Sequence, residues 1–217
     1  MLAIEALRYH PATTPRPVLA DVSLQVPVGR VTLVAGRSGS GKTTLLEVLA
    51  GLAEGDRGRI LWNGEPVGAQ QRRALCGLVF QFPERHFLGL TVAQELRLGQ
   101  RRLEGSRLEA VLARVGLQGL SLSQAPERLS GGQQRRLALA VQLLRDPRVL
   151  LLDEPTAGLD WTVRGEVLQL LADLACDRAL LVVTHEPELF QGLVHSGWSL
   201  EAGQLKPLPT MPPDAPG

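Results

Sequence analysis

The sequence Gly36-Arg37-Ser38-Gly39-Ser40-Gly41-Lys42-Thr43 decides the fold prediction. It has the form GxxxxGK[ST], in which glycines let successive backbone N–H groups turn toward phosphate oxygens. It follows the apolar run VTLVA, which is typical of a buried strand, and precedes TLLEVLAGL, whose apolar positions repeat with helical spacing. A strand, a glycine-rich loop and a helix in that order predict a phosphate-binding loop at a helix N-terminus.

Individual side chains in this stretch suit the phosphates of a nucleotide. Lys42 is one of only two lysines among 23 basic residues, and its ammonium group is placed to reach the β- and γ-phosphates. The Thr43 hydroxyl is placed to ligate Mg²⁺. The candidate nucleotide contacts are Gly36, Arg37, Ser38, Gly39, Ser40, Gly41, Lys42, Thr43 and Thr44.

The remaining strand signals predict an α/β fold. Two apolar runs, VLLLD at 149–153 and LLVVT at 180–184, flank a helical pattern at 163–176, which is the order of parallel strands joined by a crossover helix. Two segments with partial alternation, at 2–9 and 22–26, predict peripheral antiparallel strands. We therefore expect a P-loop NTPase with a parallel-sheet core and N-terminal antiparallel strands.

Further patterns predict how the chain is divided. The segments at 59–64 and 74–81 predict strands, and HSGWSLEAGQL at 195–205 predicts a hairpin. Residues 83–147 carry apolar side chains at three- and four-residue intervals, which predicts a helical subdomain insertion. The 217 residues then form one domain over 1–207, followed by a proline-rich tail at 208–217 that we expect to be disordered.

Composition limits the function classes. Hydrophobic residues make up 44% and the formal net charge is +1, so nothing draws the whole chain toward nucleic acid. No apolar run approaches the roughly 20 residues of a membrane span, and we expect a cytoplasmic protein.

Cys76 and Cys176 lack the spacing of a metal or disulfide site and are expected to be buried. Arg135 and Arg136 are expected on a solvated helix face, not in a nucleic-acid patch.

Two acids follow the apolar run VLLLD. Buried strands can end in acids that only cap the next element, and alone this pair is a weak signal. Together with a phosphate loop, Asp153 is expected beside the Mg²⁺ shell. Glu154 is expected to act as the base or as the group that orients an attacking water.

A second anion-binding pattern lies at the start of the helix QQRRLALAVQLL. A serine N-cap followed by two glycines exposes backbone donors at a helix N-terminus. One nucleotide does not need two such anion-binding sites. We call this pattern the signature, and its residues are Leu129, Ser130, Gly131, Gly132 and Gln133.

The motifs together, in this order, resemble the ATP-binding-cassette (ABC) ATPases over about residues 1–205. The resemblance implies the ABC ATPase fold, the cofactors ATP and Mg²⁺, and a head-to-tail dimer with a second ABC ATPase chain, either identical or related. It implies Q-loop and Mg²⁺ contacts for Gln81, a D-loop role for Asp160 and the switch-histidine role for His185. Tyr9 falls where the family stacks an aromatic ring on adenine, although ordinary packing is the alternative.

The stretch FQFPERHFLGLTVAQEL at 80–96, which contains Gln81, is similar to the ATPases of energy-coupling-factor and cobalt/nickel importers. This likeness implies that the region around Phe82, Pro83, His86 and Phe87 docks a membrane permease, which holds the chain at the inner face of a membrane. The alternative role for Phe82 and Phe87 is to pack the helical insertion against the core. The alternative function is a soluble ABC ATPase that assembles or remodels a protein or cofactor complex without transport.

Overall fold

The computed structural model describes residues 1–100 and 102–209. The strands are β1 Leu2–Tyr9, β2 Leu19–Val26, β3 Val31–Ala35, β4 Arg57–Trp62, β5 Glu65–Pro66, β6 Cys76–Val79, β7 Val149–Asp153, β8 Ala179–Thr184, β9 Val194–Glu201 and β10 Gln204–Pro207. The helices are α1 Lys42–Leu49, α2 Ala69–Leu75, α3 Val92–Arg97, α4 Gly105–Arg114, α5 Gly131–Leu143 and α6 Trp161–Ala175. Short 3-10 helices lie at Pro83–His86, Pro126–Arg128 and Pro187–Phe190.

The main sheet has six strands in the order β10-β9-β3-β8-β7-β6. Strand β3 pairs in parallel with β8 and β9, β7 pairs in parallel with β8 and β6, and only β10 runs antiparallel. The strands β3, β7 and β8 are buried along their whole length, as their continuous apolar sequences predict. Because these strands are parallel, the loops that follow β3, β6, β7 and β8 all leave the sheet at the same edge.

A second sheet of four strands, in the order β2-β1-β4-β5, is antiparallel throughout. Along β2, buried and more exposed side chains alternate, so that one face packs on the core. The hydrophobic core accordingly has two parts, one on each side of the six-stranded sheet. One part includes buried residues of β1, β2 and α1, and the other includes residues of α3, α5 and α6. The predicted α/β class and antiparallel N-terminal strands are confirmed.

Two local expectations are wrong. Residues 69–75 form helix α2, so the strand predicted from 74 begins only at Cys76. The Gln71 side chain accepts a hydrogen bond from the Gly68 N–H and caps this helix, and its polar sequence AQQRRAL has no apolar repeat that would have predicted it. Cys176 is exposed because it lies at the C-terminal cap of α6, where the helix leaves the core. Cys76 is buried, as predicted, and burial raises the pKa of its thiol to about 12.

The C-terminal region is described as far as residue 209. Leu208 is partly buried, and its backbone N–H donates a 2.9 Å hydrogen bond to the Gly197 carbonyl. The rest of the predicted disordered tail, residues 210–217, lies outside the described residues. Within the described ranges, no helix combines the length and the apolar character that a membrane span requires.

Candidate active site

The loop between β3 and α1 presents backbone donors to an open cleft. Gly41 has a φ of 101°, a left-handed conformation that glycine adopts without strain, and no side chain among the described residues caps the N-terminus of α1. The N–H groups of the first turn of α1 therefore remain available to an anion. Gly36 packs so tightly that a Cβ there would lie 2.6 Å from Ser40 Oγ and 2.9 Å from the Leu200 carbonyl oxygen. The loop is thus held against the strand β9.

Lys42 and Glu154 form the centre of the site. Lys42 Nζ donates hydrogen bonds to the carbonyl oxygens of Gly36 (2.7 Å) and Arg37 (3.1 Å), and it lies 3.6 Å from Glu154 Oε1. Both charged side chains are 7% exposed. The pair brings the phosphate loop and the end of β7 together, although 112 positions separate them in the sequence.

His185 and Thr184, at the end of β8, hold the Glu154 carboxylate. His185 Nδ1 lies 2.8 Å from Oε1, while the Thr184 hydroxyl (2.9 Å) and the His185 backbone N–H (3.2 Å) donate to Oε2. Glu154 also has a φ of 47°, a left-handed conformation that costs a non-glycine residue about 1–3 kcal/mol. A strained, fully hydrogen-bonded carboxylate at a strand end is the arrangement expected of a functional group.

Asp153 is tied to the first turn of α1. The Thr43 hydroxyl donates a 2.6 Å hydrogen bond to Asp153 Oδ2. Burial raises the pKa of Asp153 above its ordinary value and Glu154 adds to the rise, whereas the Thr43 hydrogen bond and the positive charges of Lys42 and Arg135 oppose it. The two oxygen-bearing side chains predicted near Mg²⁺ are therefore in direct contact.

These residues line one cleft of about 1350 Å³. Gln81 lies at its wall, and the hairpin of β9 and β10 contributes Ser199 and Glu201. Tyr9 is not among the lining residues: it lies at the end of β1, partly buried against the core, and its carbonyl accepts a 2.9 Å hydrogen bond from Val18, which does line the cleft. The sequence-predicted lining residues are Gly36, Arg37, Ser38, Gly39, Ser40, Gly41, Lys42, Thr43, Thr44, Gln81, Asp153, Glu154 and His185.

The signature residues are not among those that line this cleft. Ser130 caps α5: its hydroxyl accepts a hydrogen bond from the Gln133 N–H, and the Gln133 side chain accepts one from the Ser130 N–H. A Cβ on Gly132 would lie 2.6 Å from Val163 Cγ1, and the Val163 N–H donates to Asp160, the N-cap of α6. The signature and the predicted D-loop residue are therefore neighbours at the starts of two helices.

The comparison with known protein families decides the class. Residues 19–157, well over half of the chain, match the family described as ABC transporter. The chain belongs to the ABC transporter family. It is an ATP-binding, ATP-hydrolysing ATPase of that family, as the order of motifs predicts.

Individual ABC proteins are similar over most of the chain. ABC transporter I family member 11, chloroplastic, of Arabidopsis thaliana is 39% identical over 211 residues, which cover 90% of this chain and 76% of that protein. Energy-coupling factor transporter ATP-binding protein EcfA1 of Thermotoga maritima is 41% identical over 178 residues, covering 79% and 68%. The solved structure of cbiO1 from Clostridium perfringens, part of the ABC transporter complex cbiONQ, has a TM-score of 0.85 at 28% identity and covers 94% and 86%. The predicted likeness to these importer ATPases is confirmed.

The ABC fold also contains a buried residue that sequence reasoning missed. Arg135, expected on a solvated face, is only 4% exposed and donates hydrogen bonds to main-chain carbonyls of the cleft loops. Its neighbour Arg136 is half-buried and forms an ion pair with Glu166 of α6. Both expectations are wrong because α5 is packed on several sides. The one available signal was that apolar residues of α5 recur on nearly every face, as LALA at 137–140 indicates.

Proposed function

We propose that the cleft binds ATP with its triphosphate on the phosphate loop and hydrolyses it with Glu154 and His185. The observation that carries this proposal is the Lys42–Glu154–His185 contact, which sets a cation, a carboxylate and an imidazole side by side at the N-terminus of α1. Lys42 bonds carbonyl oxygens of its own loop, and it exchanges these for the β- and γ-phosphates. We also propose that Tyr9 contacts the adenine ring, although Val18, and not Tyr9, lines the cleft.

The donor set fits Mg²⁺. This ion takes one or two protein oxygens and completes its octahedral shell with phosphate oxygens and water. Thr43 Oγ1 and Asp153 Oδ2 supply such a pair, and Gln81 lies on the same cleft. Held by Thr43 and Asp153, Mg²⁺ would supply charge neutralisation at the β- and γ-phosphates. No group of three or more acids, histidines or cysteines competes for a cation within the described residues.

The contacts of Glu154 support a role in orienting and deprotonating the attacking water. Thr184 and the His185 N–H hold Oε2, which fixes the plane of the carboxylate and leaves Oε1 as the atom that faces Lys42 and His185. Oε1 accepts the proton of the water, while the His185 ring, half-exposed, turns to the γ-phosphate. Gln81 completes the wall around the water.

The separation of the signature from the cleft supports a two-chain site. Ser130 and Gly131 are exposed at the N-terminus of α5, where the first N–H groups of a helix have no intrahelical acceptor. We infer that they cap the γ-phosphate held by a second ABC ATPase chain, in a head-to-tail dimer. Asp160, next to Val163, lies at the same surface.

We propose that exposed apolar residues after β6 contact a membrane permease. Phe82 is 40% exposed with Arg85 stacked 4.5 Å from its ring, and Leu88 and Leu90 are 81% and 79% exposed. Phe87, by contrast, packs partly against the core. The proposed docking surface is therefore Phe82, Leu88 and Leu90, with Pro83 and Phe87 behind it and the exposed His86 beside it, stacked on Phe80. It holds the chain at the inner face of a membrane, as in an importer.

The activity test is Glu154→Gln, which keeps the shape of the side chain and removes the basic carboxylate. We expect ATP binding to persist and turnover to fall by a factor of about 10² or more. The matched control is Glu188→Gln, the same chemical change at an exposed residue beyond the cleft. Turnover of Glu154→Gln within a few-fold of the parent contradicts the proposal.

The docking test is the double variant Leu88→Glu, Leu90→Glu, with Leu52→Glu (59% exposed, outside this surface) as the control. The docking variant should keep its soluble ATPase rate and lose a multi-span membrane protein that copurifies with the parent and with the control. If only soluble assembly proteins copurify with the parent, the chain acts in assembly or remodelling and transport is refuted.

A further inference from the structure

Arg135 makes contacts that connect three parts of the active-site region. It lies in the first turns of α5, two residues after the end of the signature at Gln133. Its Nη1 donates to the carbonyl oxygen of Gln81 at 2.6 Å, and its Nη2 donates to the carbonyl oxygen of Ala157 at 3.0 Å. One guanidinium group therefore joins the signature helix, the loop after β6 and the loop after β7.

The surroundings of Arg135 are unusual for a buried cation. Within the described residues it forms no direct ion pair, the charges of Glu84 and Asp153 act on it only from beyond contact distance, and its Nε is buried without a hydrogen-bond partner. Burying a charge without an ion pair is unfavourable, and lysine or an apolar residue would fill the same space with fewer unmet donors. The planar fork of arginine is the feature that lets one side chain hold two separate carbonyl groups.

We propose that Arg135 is a positioning residue for ATP hydrolysis, which fixes the main chain of Gln81 relative to the segment that carries Glu154 and Asp160. Gln81 and Glu154 both line the cleft, and each lies within three residues of a carbonyl acceptor of Arg135. A shift of either loop changes the separation between the Gln81 amide and the Glu154 carboxylate. This inference rests on the proposed function, because it concerns the rate at which bound ATP reacts.

A positioning role and a merely structural role make different predictions. Structural support alone predicts that stability, ATP affinity and turnover fall together when Arg135 is changed. Positioning predicts that kcat falls while ATP affinity is unchanged, because the hydrogen bonds of the Arg135 guanidinium go to Phe80, Gln81 and Ala157 and not to the phosphate loop or Lys42. A misplacement of about 1 Å in a reacting group lowers the rate by about 10²-fold.

The test uses Arg135→Lys and Arg135→Gln in the full chain, with Arg136→Gln as the control from the next position of α5. Lysine keeps the positive charge and reaches only one of the two loops. We expect Arg135→Lys to keep KM and thermal midpoint close to the parent and to lose about tenfold in kcat, with a larger loss for Arg135→Gln. Arg136→Gln loses its ion pair with Glu166 and should keep the parent kcat.

The result that overturns the inference is a kcat of Arg135→Lys within about twofold of the parent, or a kcat that falls only in step with KM and thermal midpoint. Should Arg135→Gln not fold, Arg135→Lys alone decides between these outcomes. Glu154→Gln is measured in the same series. If the parent has no turnover that depends on Glu154, the proposed function itself fails, whereas Glu154-dependent turnover with unaffected Arg135 variants refutes only the positioning role.

Discussion

Lys42 should contribute to the stability of the fold itself, not only to ATP binding. Its ammonium group is 7% exposed, donates to two carbonyl groups at 2.7 and 3.1 Å, and lies 3.6 Å from the equally buried Glu154. Lys42→Met keeps the aliphatic stem and removes the charge. The carboxylate of Glu154 then keeps Thr184 and His185 as partners and loses the nearest permanent positive charge.

The size of the effect follows from these distances. Two charges 3.6 Å apart attract by about 4–5 kcal/mol at an effective dielectric constant of 20, and the methionine variant recovers part of this because it no longer buries an ammonium group. Each hydrogen bond from a charged donor is worth about 1.5–3 kcal/mol, although water in the open cleft replaces some of it. We expect a net decrease in the free energy of unfolding of about 2–3 kcal/mol.

The assay is urea unfolding without nucleotide for the parent, Lys42→Met, Glu154→Gln and the double variant. Glu154→Gln removes the carboxylate charge that Lys42→Met leaves unpaired, so the two changes should not be additive. We expect a coupling energy of about 1–2 kcal/mol in the double-mutant cycle. A coupling below about 0.5 kcal/mol, or an unfolding free energy for Lys42→Met equal to that of the parent, would refute the argument that the pair stabilises the folded chain.

Three further outcomes are expected. Ser130→Arg should leave ATP binding to the single chain intact and block the ATP-dependent dimer of the Glu154→Gln protein in light scattering, since a bulky cation then stands at the N-terminus of α5; an unchanged dimer contradicts the two-chain site. Trp161, 81% exposed beside Asp160, should shift its emission to shorter wavelength when ATP is added to the Glu154→Gln protein, and Trp161→Phe should abolish the shift. At pH 8 one thiol per folded chain should react rapidly with a disulfide reagent, because Cys176 is exposed while burial raises the pKa of Cys76 to about 12; two equally fast thiols refute this.

The sequence predicted the parts of the site that depend on local spacing. The phosphate loop is recognisable because each glycine serves the backbone turn in which it stands, as the left-handed Gly41 illustrates. Asp153 and Thr184 are recognisable as strand ends because the apolar runs before them stop there. Parallel pairing then brings these strand ends to one edge of the sheet, where the structure finds the contact between Glu154 and His185.

Contacts that depend on distant packing could not be predicted from local patterns. Arg135 and Arg136 are adjacent and identical in type, yet one is buried against two loops and the other pairs with α6. Which of them turns inward depends on the rotation of α5, which its core contacts set. Cys176 is expected in the core because apolar residues precede it in the sequence. Helix α6 and its buried residues end at Ala175, one residue before it, and Cys176 is exposed.

The order of strands explains why Gln81 needs an anchor of its own. The phosphate loop follows β3, and the neighbouring strands toward β6 are β8 and β7, which carry His185 and Glu154 at their ends. Strands lie about 4.8 Å apart, so the end of β6 is roughly 14 Å from that of β3. Glu154, by contrast, accepts a hydrogen bond directly from Thr184 of β8, the strand next to β3. Gln81 must therefore reach the cleft on a loop that leaves the sheet after Val79, beyond the last ladder hydrogen bonds of β6. Beyond that point the Gln81 carbonyl accepts a 2.6 Å hydrogen bond from Arg135, and the proposed positioning role depends on this contact.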